Sequence, residues 1–236
     1  MPHITMENVS FAYRHGRDVF RSLSFSTGPG LTYVVGENGS GKTTLLRLIL
    51  GQLKGSGDII VDGNGDTGRK LGYLPQRFAV PAALTAREFV EYIAWVKGLD
   101  REAVRTVAQA SLESVNLSER ADDRLAALSG GMIRRVGIAQ ALATGANLLL
   151  LDEPTVGLDP LQRAELRGVL RRIGESRTLL VSTNLMADID ETDTILVLAD
   201  GQAAFCGQAQ EMRKEFGSPG MTLEDVFVAM YRRKFL

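Results

Sequence analysis

The chain is poor in cysteine, histidine and tryptophan: one Cys, two His and one Trp among 236 residues. The single cysteine, Cys206, forms no internal disulfide and no thiolate zinc site. The sequence also lacks an excess of either charge, because 27 Lys and Arg residues stand against 28 Asp and Glu residues. This balance excludes a general electrostatic attraction to nucleic acid or to an anionic membrane, and we expect no nucleic-acid partner.

Long apolar runs are missing as well. The longest aliphatic run is Leu148 to Leu151, whereas a membrane-spanning helix needs about 20 apolar residues. The start of the chain, Met1 to Ile4, lacks a basic stretch followed by an apolar core, so no signal peptide is predicted. We therefore expect a soluble, cytoplasmic protein.

The apolar pattern predicts an α/β protein. Alternation of short strands with helices is typical of a mostly parallel sheet. Strands are predicted around Ile4, at 23–25, 31–35, 58–62, 71–74, 147–151, 178–182 and 194–198, and helices at 44–52, 84–127 (interrupted), 132–143, from Pro160 and from Leu223.

Two helix starts are marked within the stretch 84–127. Thr85 and Glu88 match a capping box, and Asp100 is placed to cap a second helix. The final amphipathic stretch, which begins at Leu223, is expected to pack as a helix on the domain.

A glycine-rich stretch follows the run 31–35 and precedes the helix 44–52. It fits G-x-x-x-x-G-K-[ST] in full, in the strand–helix context that this pattern requires. Its glycines let backbone N–H groups close around phosphate oxygens, while the lysine reaches the β- and γ-phosphates and the threonine hydroxyl binds Mg²⁺. The expected nucleotide contacts are Gly36, Glu37, Asn38, Gly39, Ser40, Gly41, Lys42, Thr43 and Thr44, with Lys42 also a catalytic candidate and Thr43 a metal ligand.

Two acidic residues, Asp152 and Glu153, directly follow the run Leu148 to Leu151. Ligands of parallel sheets bind at the carboxyl ends of the strands, which is also where the glycine-rich loop begins. We expect Asp152 to hold Mg²⁺, mostly through water, and Glu153 to polarise the attacking water. Taken alone, the pair could also be a solvated pair of loop acids.

A second possible anion site lies before the helix 132–143, where Ser129, Gly130 and Gly131 stand. One nucleotide needs only one phosphate loop, so a second such site indicates a nucleotide contact made across a dimer. An ordinary helix cap is the alternative.

These motifs resemble those of the nucleotide-binding subunit of an ABC transporter, along essentially the whole chain. The triplet 129–131 stands where the family signature stands, and Gln76 occupies the place of the family's Q-loop glutamine, upstream of the helical stretch. In the family this glutamine senses Mg²⁺ and the γ-phosphate, which makes Gln76 both a metal-ligand and a catalytic candidate. The triplet 157–159, which ends in Asp159, matches the family's D-loop, which crosses the dimer interface. Tyr13 lies where the family places an aromatic that stacks on adenine, with a core aromatic as the alternative.

The resemblance implies the fold of an ABC-type P-loop NTPase, with a mostly parallel core sheet, an N-terminal antiparallel β subdomain and an inserted α-helical subdomain. A single domain would span 1–236, with core and β subdomain at 1–76 and 144–236 and the helical subdomain at 77–143. The implied cofactors are ATP and Mg²⁺. The implied partners are a second nucleotide-binding subunit, identical or different, and a transmembrane permease that holds the protein at the inner face of the membrane.

The direction of transport is suggested by two local features. Arg134 and Arg135, and the C-terminal segment 223–227, resemble the drug and polysaccharide exporter branch of the family.

The chain departs from the family pattern at one catalytic position. Asn184 stands where the family has a histidine that contacts the γ-phosphate, and both histidines of the chain, His3 and His15, precede the phosphate loop. Asparagine can donate a hydrogen bond, but it is shorter and carries no charge. Loss of one transition-state donor costs about 10²–10³ in rate, so we expect slow hydrolysis, unless Asn184 substitutes adequately.

Three other kinds of ATPase-like protein share parts of this pattern. A DNA-repair or chromosome-organising ATPase needs long coiled-coil arms, and no sustained heptads occur here. A soluble translation factor of this superfamily usually has two such domains, whereas this chain has one phosphate loop and only a short basic cluster at 232–234. A non-hydrolysing regulatory subunit stays open because of Asn184.

Overall fold

The computed structural model describes residues 1–14, 16, 18–62 and 71–235; His15 lies outside this part of the chain. The strands in it are β1 (His3–Ala12), β2 (Asp18–Thr27), β3 (Gly30–Val35), β4 (Ser56–Asp62), β5 (Leu71–Leu74), β6 (Leu148–Asp152), β7 (Thr178–Thr183), β8 (Thr194–Ala199) and β9 (Gln202–Gln208). The helices are α1 (Lys42–Ile49), α2 (Ala86–Val96), α3 (Arg101–Ser114), α4 (Gly130–Leu142), α5 (Pro160–Gly174), α6 (Ala209–Phe216) and α7 (Leu223–Phe235).

The larger sheet has six strands in the order β5-β6-β7-β3-β8-β9. All neighbouring pairs are parallel except β8 and β9, which are antiparallel. The predicted mostly parallel core sheet is therefore confirmed. The edge strand β9 was not predicted, because it carries small and polar residues rather than the β-branched residues that mark a strand.

The larger sheet is buried on both faces, as parallel sheets are. In β6, Leu149 and Leu151 belong to the core that faces α4 and α5, whereas Leu148 and Leu150 belong to the core that faces α1 and the smaller sheet. This explains why the strand reads as an unbroken aliphatic run. Because β6 is parallel to β5 and β7, the polar residues after it lie at the edge formed by the carboxyl ends of these strands.

The smaller sheet is antiparallel, with the order β2-β1-β4. Ile4 and Met6 point from β1 into the core, as their alternation predicts. The register shifts after Met6, where Asn8 adopts a φ of +52°. The expected N-terminal antiparallel β subdomain is thus present.

Between β5 and β6 the described chain is helical. The Thr85 hydroxyl accepts from the Glu88 N–H at the start of α2, and the Glu88 carboxylate accepts from the Thr85 N–H, which confirms the capping box. Asp100 caps α3, also as predicted.

Helix α4 joins the helical segment to the core sheet. At Gly137 a Cβ atom would lie 2.6 Å from Leu74 Cδ1, so that glycine lets α4 approach β5 closely without displacing the Leu74 side chain. Because α4 packs on the core sheet as well as on α2 and α3, the division of the chain at 77–143 remains a prediction.

The C-terminal part of the described chain adds two helices beside β9. Helix α6 was not predicted. The expected packing of the last helix on the domain is confirmed, since Leu223, Val226 and Met230 of α7 are buried in the main core. Among the described residues, no helix combines the length and apolarity needed to cross a bilayer.

The capping box should stabilise the helical segment measurably. We expect Thr85→Ala to lower the free energy of unfolding by about 1 kcal/mol, because the Glu88 N–H loses its acceptor. Thr85→Ser keeps the hydroxyl and is the matched control. Chemical denaturation measures both, and an unchanged midpoint in Thr85→Ala would contradict the assignment.

Candidate nucleotide-binding site

The phosphate loop, residues 36–43, connects the end of β3 to the start of α1. Gly39 and Gly41 have φ angles of +86° and +100°, which side chains other than glycine rarely adopt. A Cβ atom on Gly41 would lie 2.8 Å from both Val19 Cγ1 and Phe20 Cζ. Glycine is therefore favoured at both positions by the turn, and at Gly41 also by the packing of β2 against the loop.

Lys42 is folded into the phosphate loop. The residue is only 6% exposed, and its Nζ donates to the carbonyl oxygens of Gly36 at 2.7 Å and Glu37 at 3.0 Å. Burial lowers the pKa of the Lys42 ammonium, while the carboxylates of Glu153 and Asp152 raise it. A phosphate group in the loop would offer this ammonium stronger acceptors than two backbone carbonyls.

The Asp152 carboxylate links three elements of the site. Its Oδ2 accepts from the Thr43 hydroxyl at 2.8 Å, and its Oδ1 accepts from the Ser182 hydroxyl at 2.7 Å. The Ser182 oxygen in turn accepts from the Glu153 N–H at 2.8 Å. One buried network therefore fixes the first turn of α1 and the ends of β6 and β7 relative to one another.

Glu153 has an unusual backbone. Its φ of +48° is in the left-handed region, which costs free energy in a residue with a side chain. The hydrogen bond from its N–H to Ser182 supports this conformation. The side chain meets the loop after β5, where Gln76 Nε2 donates to Glu153 Oε2 at 2.8 Å.

Tyr13 belongs to the same site and not to the core. The residue is 43% exposed, its hydroxyl lies 3.1 Å from Thr44 Oγ1, and its ring packs edge-on against Phe11. The core-aromatic alternative is therefore wrong. An exposed ring beside the phosphate loop is suited to stacking on a planar base.

These side chains surround one cleft of about 370 Å³. It brings together half of the residues expected at the nucleotide: Tyr13, Asn38, Gly39, Gly41, Lys42, Thr43, Thr44, Gln76 and Glu153, with Val19. Asn184 lines a neighbouring cavity of about 390 Å³ on the other side of the loop, together with Gly36, Glu37 and Phe227. Ser40 lines a third cavity, beside α7.

The oxygen ligands offered by Thr43, Gln76 and Asp152, at the start of α1 and the ends of β5 and β6, suit Mg²⁺. Thr43 supplies a hydroxyl oxygen, Asp152 a carboxylate and Gln76 an amide oxygen, and hard oxygen donors with one carboxylate suit an ion that takes its other ligands from phosphates and water. No cluster of three or more His, Cys, Asp and Glu side chains placed to bind a metal occurs within the described residues.

Ser129 and Asp159 do not line the cleft of the described chain. Both are helix N-caps: the Ser129 hydroxyl accepts from the Met132 N–H, and the Asp159 carboxylate accepts from the Gln162 N–H. The two helix starts are neighbours, because a Cβ atom on Gly131 would lie 3.0 Å from Gln162 Oε1. Ser129, Gly130, Gly131 and Asp159 therefore form one surface apart from the phosphate loop of the same chain.

Two polar residues of the site were missed by sequence analysis. Ser182 follows the apolar run 179–181 in a buried strand, and its polarity there was the only available signal. Arg134 donates to the Pro75 carbonyl at 3.5 Å, next to Gln76. Burial lowers the pKa of its guanidinium, and the nearby carboxylates of Glu153 and Asp152 offset this in part. The sequence indicated Arg134 only as a feature of a family branch.

Comparison with known proteins agrees with this geometry. The profile of the family described as ABC transporter matches residues 20–156. The uncharacterized ABC transporter ATP-binding protein YxlF of Bacillus subtilis is 33% identical over 90% of this chain and 73% of its own length. The linearmycin resistance ATP-binding protein LnrL of the same organism is 31% identical over 98% of this chain and 76% of its own length.

Solved structures show the same fold. An ATP-binding subunit of an ABC transporter superposes with a TM-score of 0.77 at 26% identity, covering 96% of this chain and 98% of that chain. A bacterial Atm1-family ABC exporter with ATP bound also gives a TM-score of 0.77, at 25% identity, and matches 100% of this chain and 42% of that chain.

Ser182 provides a direct test of the network around Asp152. In Ser182→Ala, Asp152 Oδ1 and the Glu153 N–H both lose a partner, and an unsatisfied buried group costs about 1–3 kcal/mol. We expect weaker Mg-dependent ATP binding, measured by calorimetry with and without Mg²⁺. Thr144→Ala is the matched control, because it removes a buried hydroxyl that bonds only to Ala141 O. Equal binding by the two variants would contradict the role given to Ser182.

Proposed function

The chain belongs to the ABC transporter family as an ATP-binding subunit, a class of ATPases coupled to transport, and we propose that its cleft binds and hydrolyses Mg-ATP to drive a membrane permease. The observation that carries the proposal is the hydrogen bond from the Thr43 hydroxyl on the phosphate loop to Asp152, which supports a common site for the residues expected to bind phosphate and those expected to bind Mg²⁺.

The roles of the residues follow from their positions. Lys42 would turn from its two carbonyl acceptors to the β- and γ-phosphates, and Tyr13 would stack on the adenine ring. Thr43 and Asp152 would hold Mg²⁺, which neutralises phosphate charge when bound. Glu153 would orient the attacking water, and its bond from Gln76 ties that carboxylate to the loop after β5.

Hydrolysis is expected to be slow because of Asn184. This side chain is exposed beside Gly36 and Glu37, where a γ-phosphate in the loop would be close, but it offers only a neutral amide donor. A histidine there could carry a positive charge and reach further. We infer that the site binds ATP well and turns it over slowly.

The steady-state Mg-ATPase rate tests this inference, with Glu153→Gln as the inactive baseline. We expect a low wild-type rate that Asn184→His raises, since a neutral amide stabilises the charge of the transition state less than an imidazolium, and a full donor is worth about 10²–10³ in rate. A fast wild-type rate that is lost in Glu153→Gln and indifferent to Asn184→His would contradict the weak-site inference and indicate a competent site.

A complete site would require two chains. Ser129 and Asp159 are held at helix starts on a surface separate from the cleft, and they would act on the nucleotide of a facing subunit. Each ATP would then lie between the phosphate loop of one subunit and Ser129 of the other. The facing subunit is a second copy or a different subunit that retains the histidine.

A mixing experiment tests the shared site in the homodimer. Lys42→Ala and Ser129→Arg should each abolish hydrolysis, since every homodimeric site then lacks one half. Mixed dimers contain one intact site, so that a mixture of the two variants should regain part of the wild-type rate. Activity that stays at the Glu153→Gln baseline in the mixture would contradict sharing of the site between copies.

The permease would couple these sites to transport, and we propose export as the direction. The proposal is supported by the similarity to a linearmycin resistance protein and to an exporter of the Atm1 family, together with Arg134 and Arg135 after the glycine pair. Transport measured in membrane vesicles with ATP on the outer face distinguishes the directions.

A regulatory subunit is the second candidate, favoured by the loss of the histidine at Asn184. It would bind ATP and close on a catalytic partner without hydrolysing at its own phosphate loop. An Asn184→His variant that stays inactive, although it binds Mg-ATP, would favour this candidate.

A further inference from the structure

Five buried side-chain polar atoms of the described residues have no hydrogen-bond partner. Ser40 Oγ is in the phosphate loop, Glu91 Oε1 is in α2, and the other three are in β3, α5 and the turn after β7. These three are the Tyr33 hydroxyl, Arg163 Nε and Asp188 Oδ2. Tyr33 is in β3, directly before the phosphate loop, and Arg163 is in the first turns of α5. Asp188 lies four residues after Asn184, at the end of the short turn 186–188. Buried polar atoms are nearly always bonded, so this cluster calls for a physical explanation.

Asp188 occupies the centre of the cluster. The residue is 3% exposed, and its Oδ1 lies 4.0 Å from Arg163 Nη1 and 3.9 Å from Arg167 Nη1. Both distances exceed the length of a charge-assisted hydrogen bond, about 2.7–2.9 Å. The two ion pairs are therefore loose, although the carboxylate is buried between two cations.

The same face of α5 holds the rest of the segment that follows Asn184. Arg167 Nη1 donates to Ala187 O at 3.0 Å, and Arg171 Nη2 lies 2.6 Å from an Asp190 oxygen. Arg163, Arg167 and Arg171 are spaced by four residues, which places them in one row along the helix. The segment after Asn184 is thus attached by charge to the helix that begins at Asp159.

Tyr33 adds the third element. Burial, followed by the carboxylate of Asp193, raises the pKa of the Tyr33 phenol above its usual range, and Asp188 adds to this effect. The strand that ends in the phosphate loop therefore runs past the same charges. Closer approach of α5 to the 186–188 turn would give Arg163 and Asp188 the hydrogen bonds that they lack.

We propose that Asp188 is a positioning residue for hydrolysis, which sets the place of Asn184 beside the phosphate loop through its ion pairs with Arg163 and Arg167. The inference rests on the proposed function, because it assigns to Asn184 a contact with the bound nucleotide. The position of Asn184 then depends on α5. The N-cap of this helix, Asp159, lies on the surface that would meet the facing subunit.

Steady-state kinetics of Asp188→Asn and Arg163→Met test the proposal, together with affinity for a non-hydrolysable ATP analogue. Misplacement of a catalytic group by about 1 Å costs up to ~10²-fold in rate, so we expect kcat to fall by about 10–100-fold with the analogue affinity unchanged. Arg172→Met is the matched control, since Arg172 is on α5 as well but bonds to Asn116. A kcat of wild-type size in folded Asp188→Asn would overturn the proposal.

Non-additivity separates positioning from plain stability. In an Asn184→Ala background, Asp188→Asn should reduce kcat no further, because the side chain that it positions is gone. A loss of the same size with and without Asn184 would show that Asp188 acts by another route and would overturn the proposal.

Amide hydrogen exchange tests the physical link without any need for hydrolysis. Asp188→Asn should accelerate exchange both in residues 184–190 and in residues 159–164, whereas Arg172→Met should accelerate neither. Unchanged exchange in 159–164 would overturn the link. If the wild type binds ATP without hydrolysing it, the proposed hydrolysis fails, and the exchange result still decides whether Asp188 couples the two segments.

Discussion

The site depends on one buried carboxylate, that of Asp152. Its two oxygens accept hydrogen bonds from the hydroxyls of Thr43 and Ser182, and the Ser182 oxygen accepts a hydrogen bond from the Glu153 N–H. Burial of a carboxylate without hydrogen-bond partners costs free energy, so breaking any of these hydrogen bonds would destabilise the fold. The phosphate loop and the ends of β6 and β7 are thereby fixed relative to one another.

Two residues near this carboxylate, Glu153 and Lys42, have arrangements that are unfavourable by themselves. Glu153 has a left-handed backbone, and Lys42 donates to carbonyls of its own loop. Neither arrangement is the most favourable for the isolated group, and each places a functional group at the cleft that a nucleotide would fill. Helices α4 and α5, by contrast, present Ser129 and Asp159 on a separate surface, which the proposed facing subunit would supply with a nucleotide.

Local sequence signals predicted the fold well where a local rule determines the structure. The capping box at Thr85, the Asp100 cap and the glycine-rich loop depend on neighbours within a few residues, and each is present. Strand β9 was missed because its small and polar residues are not typical of a strand. Helix α6 was missed although Ala209, Met212 and Phe216 have helical spacing, because a helix of eight residues is too short to give a clear pattern. Both elements depend on burial against β8 and α7. The limits of the helical subdomain stay a prediction.

By itself the sequence determined the phosphate loop and the acids after β6, because glycine conformation, helix capping and apolar strands are local properties. Only the tertiary structure decided what these residues touch. The hydrogen bond from Thr43 to Asp152 joins residues more than a hundred positions apart. The sequence around Ser182 did not indicate its partners, and the cluster around Asp188 joins three elements distant in sequence. Such contacts arise from the parallel order of the strands, which brings their carboxyl ends to one edge of the sheet.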